Sequence, residues 1–169
     1  RGGRVGFLEA QARGARGCYA RRFKLSDEAF RDTLRDLFGG GQARLVLEDP
    51  EHVLDCGIDI KAQPPGKAMK SLEPLSGGEK ALVAISIYFA IMRVNPPPFC
   101  VLDEIAAALD DVTVTRYAQY LRRMSEATHF ITITHRRGPT ERSDMLSGLP
   151  MPAQGFSHLQ ASRPTAPTA

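Results

Sequence analysis

A short apolar run, Phe99-Cys100-Val101-Leu102, ends in two adjacent carboxylates, Asp103 and Glu104. Charges at the end of a buried strand are costly unless something uses them. Parallel sheets gather ligand sites at the carboxyl ends of their strands. Asp103 is then placed to hold Mg²⁺ on a nucleotide, and Glu104 to polarise an attacking water as general base. The plainer reading is an apolar strand that runs out into a polar turn. His135 follows a second apolar run, Phe130 to Thr134, and could donate a hydrogen bond to a γ-phosphate. A rim histidine with a structural role is the alternative there.

Two further features flank this pair. Ser76-Gly77-Gly78-Glu79 stands at the start of a long apolar stretch. Paired glycines let a ligand approach the backbone, and the free N–H groups of a helix start favour an anion. The same residues also spell a capping box, with Ser76 at the N-cap and Glu79 at N3. Asp110, in Ala107-Ala108-Leu109-Asp110, lies seven residues past Asp103. It, or Asp111, reads equally as a helix N-cap. Each feature has an ordinary structural explanation. Their order along one chain, each where a nucleotide could meet it, is what makes chance agreement improbable.

The spacing predicts the elements that must position these groups. Residues 26–38 carry Phe30, Leu34, Leu37 and Phe38 at helical intervals, with Ser26 or Asp27 as cap and Gly39 to Gly41 as the stop. Residues 44–48 and 57–62 alternate as half-buried strands, joined by Asp49-Pro50 and a helical stretch. Residues 64–70 form a loop. Residues 79–94 are apolar on nearly every side and belong in a core. Residues 99–102 and 130–134 read as buried parallel strands around an amphipathic helix at 112–124, which makes a βαβ unit. After Arg137 the pattern weakens.

Composition sets the outer limits. The 169 residues are 43% hydrophobic and 24% charged, ordinary values for a globular chain. A net charge of +3 is too small to argue for nucleic-acid binding. Arg1, Arg4, Arg13, Arg16, Arg21, Arg22 and Lys24 crowd the first segment, whose weak periodicity reads as disorder or a frayed helix in a solvated leader or, less simply, as a phosphate contact. Cys18, Cys56 and Cys100 form no paired framework, as expected in a reducing compartment. Pro96 to Pro98 cuts the longest apolar run short of a membrane span, and no secretory signal is visible.

These residues resemble a known family. LSGGEK (75–80) is similar to the signature motif of ABC-type ATPases, FCVLDE (99–104) to Walker B, ALDD (108–111) to the D-loop, and ITITHR (131–136) to the switch-histidine strand. The stretches 38–67 and 96–111 further resemble bacterial SMC (structural maintenance of chromosomes) heads, so that the likeness covers roughly residues 28–160. The resemblance implies an α/β fold: the C-terminal lobe of a P-loop NTPase head, a mostly parallel sheet flanked by helices, incomplete without an N-terminal lobe. It implies a disordered or remnant coiled-coil leader over 1–25, the lobe over 26–160 and a disordered tail over 161–169. The implied function is ATP hydrolysis in chromosome condensation and segregation, with ATP and Mg²⁺ as cofactors. Asp103 would bind Mg²⁺, Glu104 would activate water, and His135 would sense the γ-phosphate. Ser76, Gly77, Gly78 and Glu79 would cap ATP held by a second head, and Asp110 would couple the two sites. The implied partners are the N-terminal head lobe, a second SMC head, a kleisin subunit and DNA, in the cytoplasm at the nucleoid and with no membrane. The alternatives are a head fragment of another ABC-type repair or recombination ATPase, or a non-catalytic partner-binding module. Departures are plain too. No GxxxxGK[ST] occurs in these residues, residues 1–25 hold no sustained heptad, and Ala106 stands where many relatives carry an acidic residue.

Overall fold

The computed structural model describes residues 2–66, 75–148 and 160–162, and for residues 2–13 the backbone alone. The chain divides into two units, Arg1–Pro98 and Phe99–Ala169.

The first unit is built on helix α1 (Gly2–Phe38). The expected helix at 26–38 is present, and it continues back to Gly2 through the segment expected as a leader. Neither Ser26 nor Asp27 caps it, because the chain is already helical there. Alanine and arginine, frequent in this segment, are strong helix formers. Asp27 is instead buried, pairs with Arg31 one turn on, and accepts a hydrogen bond from the Leu45 N–H at 2.7 Å. Phe30, Leu34 and Leu37 are fully buried, as their spacing requires. Gly39 ends the helix at φ 71°, and the Gly40 N–H caps the Arg35 carbonyl at 2.8 Å.

Strands β1 (Gln42–Leu47) and β2 (Ile58–Gln63) pair antiparallel, Leu45 opposite Ile60. Gly41 has φ 87°, and a Cβ there would lie 2.3 Å from the Gln63 carbonyl oxygen. The connection holds no helix, contrary to expectation. The Asp49 carboxylate accepts from the N–H groups of Glu51 and His52 and so closes a turn. Helix α2 (Gly77–Val94) buries Leu82, Val83, Ile85, Phe89, Ala90 and Met92, but leaves Tyr88 and Ile91 exposed. The expected apolar surface on nearly every side is therefore buried on only part of its circumference. Phe30 and Leu34 of α1, Ala43 and Ala62 of the hairpin, and Val83 and Ala90 of α2 share one core. Proline at 96–98 prevents further helix.

The second unit holds the predicted βαβ. Strand β3 (Phe99–Asp103) pairs in parallel with β4 (His129–Ile133), Val101 opposite Ile131 and Asp103 opposite Ile133. Between them come a 3₁₀ turn (Ile105–Ala108) and helix α3 (Asp111–Met124). The strands bury one face only. Cys100 and Leu102 are buried, whereas Phe99, Val101, Ile131 and Ile133 are all more than half exposed. The expectation of strands buried on both sides is corrected accordingly. Burial raises the Tyr117 phenol pKa on α3, and the nearby Cys100 thiol adds to the rise.

Helix α4 (Arg137–Glu141) lies so close to α3 that a Cβ at Gly138 would sit 2.9 Å from Val114. Strands β5 (Leu146–Gly148) and β6 (Gln160–Ser162) pair antiparallel. Ala161 and Ser162, expected in a disordered tail, belong to β6; residues 163–169, like 67–70 of the expected loop, fall outside the described residues. A mostly parallel sheet is also not what is found: among the described residues only β3–β4 is parallel, and the other two pairs are antiparallel.

Candidate functional site

The carboxyl ends of β3 and β4 lie side by side because the two strands are parallel and in register. The ladder continues one residue further, where the Glu104 N–H donates to the Ile133 carbonyl at 2.9 Å. That bond brings the segments after both strands together. Glu104 and His135 meet there, with His135 Nδ1 lying 3.0 Å from one carboxylate oxygen and 3.2 Å from the other. Both side chains are largely exposed, so the pair adds little to stability.

Glu104 sits at φ 49°, ψ 24°, and among the described residues no other non-glycine has a positive φ. This left-handed conformation costs a side chain about 1 kcal/mol or more. It turns the chain sharply off β3 into the 3₁₀ turn and carries the Glu104 carboxylate to the rim. Asp103 is the last residue of β3, on the open face with Val101. Its carboxylate is exposed and has no hydrogen-bond or ion-pair partner among the described residues. A carboxylate left free at a strand end, beside a second one, suits a divalent cation that takes its remaining ligands from phosphate and water. No cluster of three or more such ligands occurs among the described residues.

Asp110 caps α3, as its second reading required. Its carboxylate accepts from the Thr113 N–H at 2.8 Å and the Thr113 hydroxyl at 3.1 Å. The Thr113 N–H is the main reason its pKa lies below the ordinary carboxylate value, against a smaller opposing effect of burial.

The remaining candidates belong to the first unit. Ser76 caps α2 in a complete capping box: its Oγ accepts from the Glu79 N–H at 3.3 Å, and Glu79 accepts from the Ser76 N–H at 2.9 Å. The structural reading of this motif therefore holds. Among the described residues, the Ser76 hydroxyl proton has no acceptor. Among the described residues, a Cβ at Gly77 would meet nothing within 4 Å, so their packing does not call for glycine there.

Sequence reasoning assigned no role to Arg136. Its guanidinium donates to the carbonyls of Ala107 and Leu109, each at 3.2 Å, and to Asp111 at 3.1 Å. Only its place directly after His135 hinted at this.

The known proteins it resembles place this α/β unit, with acidic and histidine groups at the ends of parallel strands, in the P-loop ATPase class. Residues 40–158 match the family described as RecF/RecN/SMC N terminal domain. Chromosome partition protein Smc from Desulfitobacterium hafniense (strain Y51) is 52% identical over 133 residues, 79% of this chain and 11% of that protein. Its namesake from Bacillus subtilis (strain 168) is 53% identical over 130 residues, 77% of this chain and 11% of that protein. Among solved structures, the Pyrococcus furiosus Smc head bound to the C-terminal domain of ScpA superposes with TM-score 0.88 at 36% identity, covering 94% of this chain and 40% of that one. A structure described for ATP-driven dimerization and DNA-stimulated activation of SMC ATPases gives TM-score 0.80 at 37% identity, covering 87% and 89%. The chain belongs to the SMC family and carries the SMC-head ATPase fold. It spans about a tenth of the length of the curated relatives it matches.

Proposed function

We propose that this chain is the C-terminal lobe of the ATPase head of a chromosome-partitioning SMC protein. The observation that carries the reading is the Glu104–His135 pair, held at the common end of two parallel strands by a left-handed Glu104. Glu104 polarises a water and takes its proton as the oxygen attacks the γ-phosphorus and the bond to the β-phosphate oxygen breaks. As imidazolium, His135 would donate its Nδ1–H to the Glu104 carboxylate and its Nε2–H to the γ-phosphate. Asp103 would hold Mg²⁺, whose charge offsets that of the phosphates.

Ser76 and Gly77 to Glu79 serve a second head. Among the described residues, the unclaimed hydroxyl proton of Ser76 and the open space at Gly77 suit a phosphate offered from outside this chain. Asp110 begins the helix next to the catalytic turn and links the two sites. The open face of Phe99, Val101, Ile131 and Ile133 suits the N-terminal lobe, which brings the phosphate loop that these residues lack. DNA, a second head and a kleisin such as the ScpA domain bound to the relatives' heads are the further partners, and the nucleoid is the place of action. On this reading, residues 26–160 are the lobe, residues 1–25 its leader and 161–169 its tail. The level of identity to chromosome partition proteins favours this over a repair ATPase. The lack of a phosphate loop keeps a non-catalytic binding module as the second reading.

The chain alone is expected to hydrolyse no ATP, and to gain turnover when mixed with an SMC N-terminal head lobe. In that mixture Glu104→Gln lowers turnover by about 100-fold or more and traps ATP-bound dimers in size-exclusion chromatography. Turnover by the pure chain, or unchanged turnover in the variant, overturns the assignment.

A further inference from the structure

Thr134, His135 and Arg136 form one short segment that grips the turn after β3 at both of its ends. At the near end, His135 meets the Glu104 carboxylate. At the far end, the Arg136 guanidinium reaches the carbonyls of Ala107 and Leu109. Those carbonyls bracket the last residues before Asp110. The segment is itself stiffened, because the Arg136 N–H donates to the Thr134 hydroxyl at 3.1 Å. The Arg136 side chain is 30% exposed, while its Asp111 partner is 94% exposed. The contact with Asp111 is therefore the weak one, and the two carbonyls are the substance of the grip.

Ala106 and Leu109 anchor this turn in the core, at 3% and 4% exposed. Its own backbone bonds run from Ala107 N–H to the Glu104 carbonyl at 3.0 Å and from Leu109 N–H to the Ala106 carbonyl at 3.2 Å. It begins at the left-handed Glu104, a conformation that persists only where surrounding contacts enforce it. The planar guanidinium reaches the two carbonyls from one nitrogen and the carboxylate from the other in a fixed fork; an ammonium concentrates its donors on one atom and does not match that geometry.

We infer that Arg136 is a positioning residue: it clamps the 105–109 turn so that Glu104, at one end, and Asp110, at the other, keep a fixed spacing. The inference rests on the function proposed above for Glu104 and Asp110. Arg136 itself touches no reacting atom. It acts through the turn, and it ties His135 to the same frame because the two residues are adjacent in the chain. A nucleotide bound at the rim would then be felt at Asp110 through a rigid turn rather than a loose loop.

The test uses Arg136→Gln and Arg136→Lys, with Arg137→Ala as a neighbouring charge control. Amide hydrogen exchange is measured on the 169-residue chain. Both Arg136 variants are expected to speed exchange at Ala107 and Leu109 by about tenfold, while Tyr117 and Leu121 of α3 keep wild-type protection. In a head reconstituted with an N-terminal lobe, with active sites counted by nucleotide bound at saturation, kcat falls about tenfold or more. KM for ATP stays within about twofold, and Lys does not restore the rate. Arg137→Ala matches wild type in both measurements. Unchanged exchange at Ala107 and Leu109 overturns the clamp. A rise in KM at constant kcat overturns the positioning role and makes Arg136 a nucleotide ligand instead. A wild-type mixture without turnover defeats the proposed function, and the exchange result still decides whether the clamp exists.

Discussion

Asp110 satisfies local chemistry and, on the proposed function, a larger task as well. Its carboxylate accepts two bonds from Thr113, which makes it a strong N-cap for α3. Replacing it with Ala should cost about 0.5–2 kcal/mol, whereas Asn should keep most of the cap. The loss is read as a fall in the urea midpoint at pH 7. Because the folded carboxyl has a lowered pKa, its contribution is complete above the unfolded value of 3.8 and fades as pH falls through the folded one. The gap between wild type and Asp110→Ala should therefore narrow below about pH 3.8. A gap that persists undiminished at pH 2 would show that the ionised cap is not its source. Arg136 belongs to the same scale. Its two carbonyl contacts depend on a backbone bend that no run of letters displays.

At the scale of elements, the first unit depends on α1 and α2 meeting over the β1–β2 hairpin. Leu34 is fully buried in that meeting, with Phe30, Val83 and Ala90 in the same cluster. Leu34→Ala should lower stability by about 2–5 kcal/mol, because the rigid helices cannot collapse into the space. A change under about 1 kcal/mol in urea melts would mean that the two helices do not share this core. Much of this architecture is legible in the letters. Phe30, Leu34 and Leu37 recur at helical intervals, and Ser76 with Glu79 marks a helix start. The turn at 49–52 was not legible, since a short polar stretch after a proline fits one helical turn as well as the side-chain turn that Asp49 builds. The N-terminal limit of α1 was not legible for a related reason: the Gly-, Ala- and Arg-rich segment has no apolar stripe, and its glycines oppose the helix that its alanines and arginines favour.

At the scale of the whole molecule, the division of labour between two heads is what awaits testing. Ser76→Arg should leave ATP binding by the reconstituted head in place while abolishing ATP-driven pairing in analytical ultracentrifugation. An arginine at the N-cap of α2 would fill the space that the open surface at Gly77 leaves for a phosphate. Loss of ATP binding itself would instead make Ser76 part of its own head's site. Among the described residues no helix is long and apolar enough to cross a membrane, in keeping with the apolar run that stops at Pro96.

The sequence by itself pointed to the groups proposed to carry the chemistry and to the elements on which they stand. Carboxylates at a strand end, a capped helix start and a histidine after an apolar run are local patterns, set by neighbours a few residues away. Only the tertiary structure decided that Glu104 and His135 touch, that Glu104 bends left-handed to allow it, and that Arg136 holds the turn between Glu104 and Asp110. Those facts depend on the parallel register of β3 and β4, which joins residues some thirty positions apart. Strand register arises from side chains packing across the pair, so it has no signature in either strand alone.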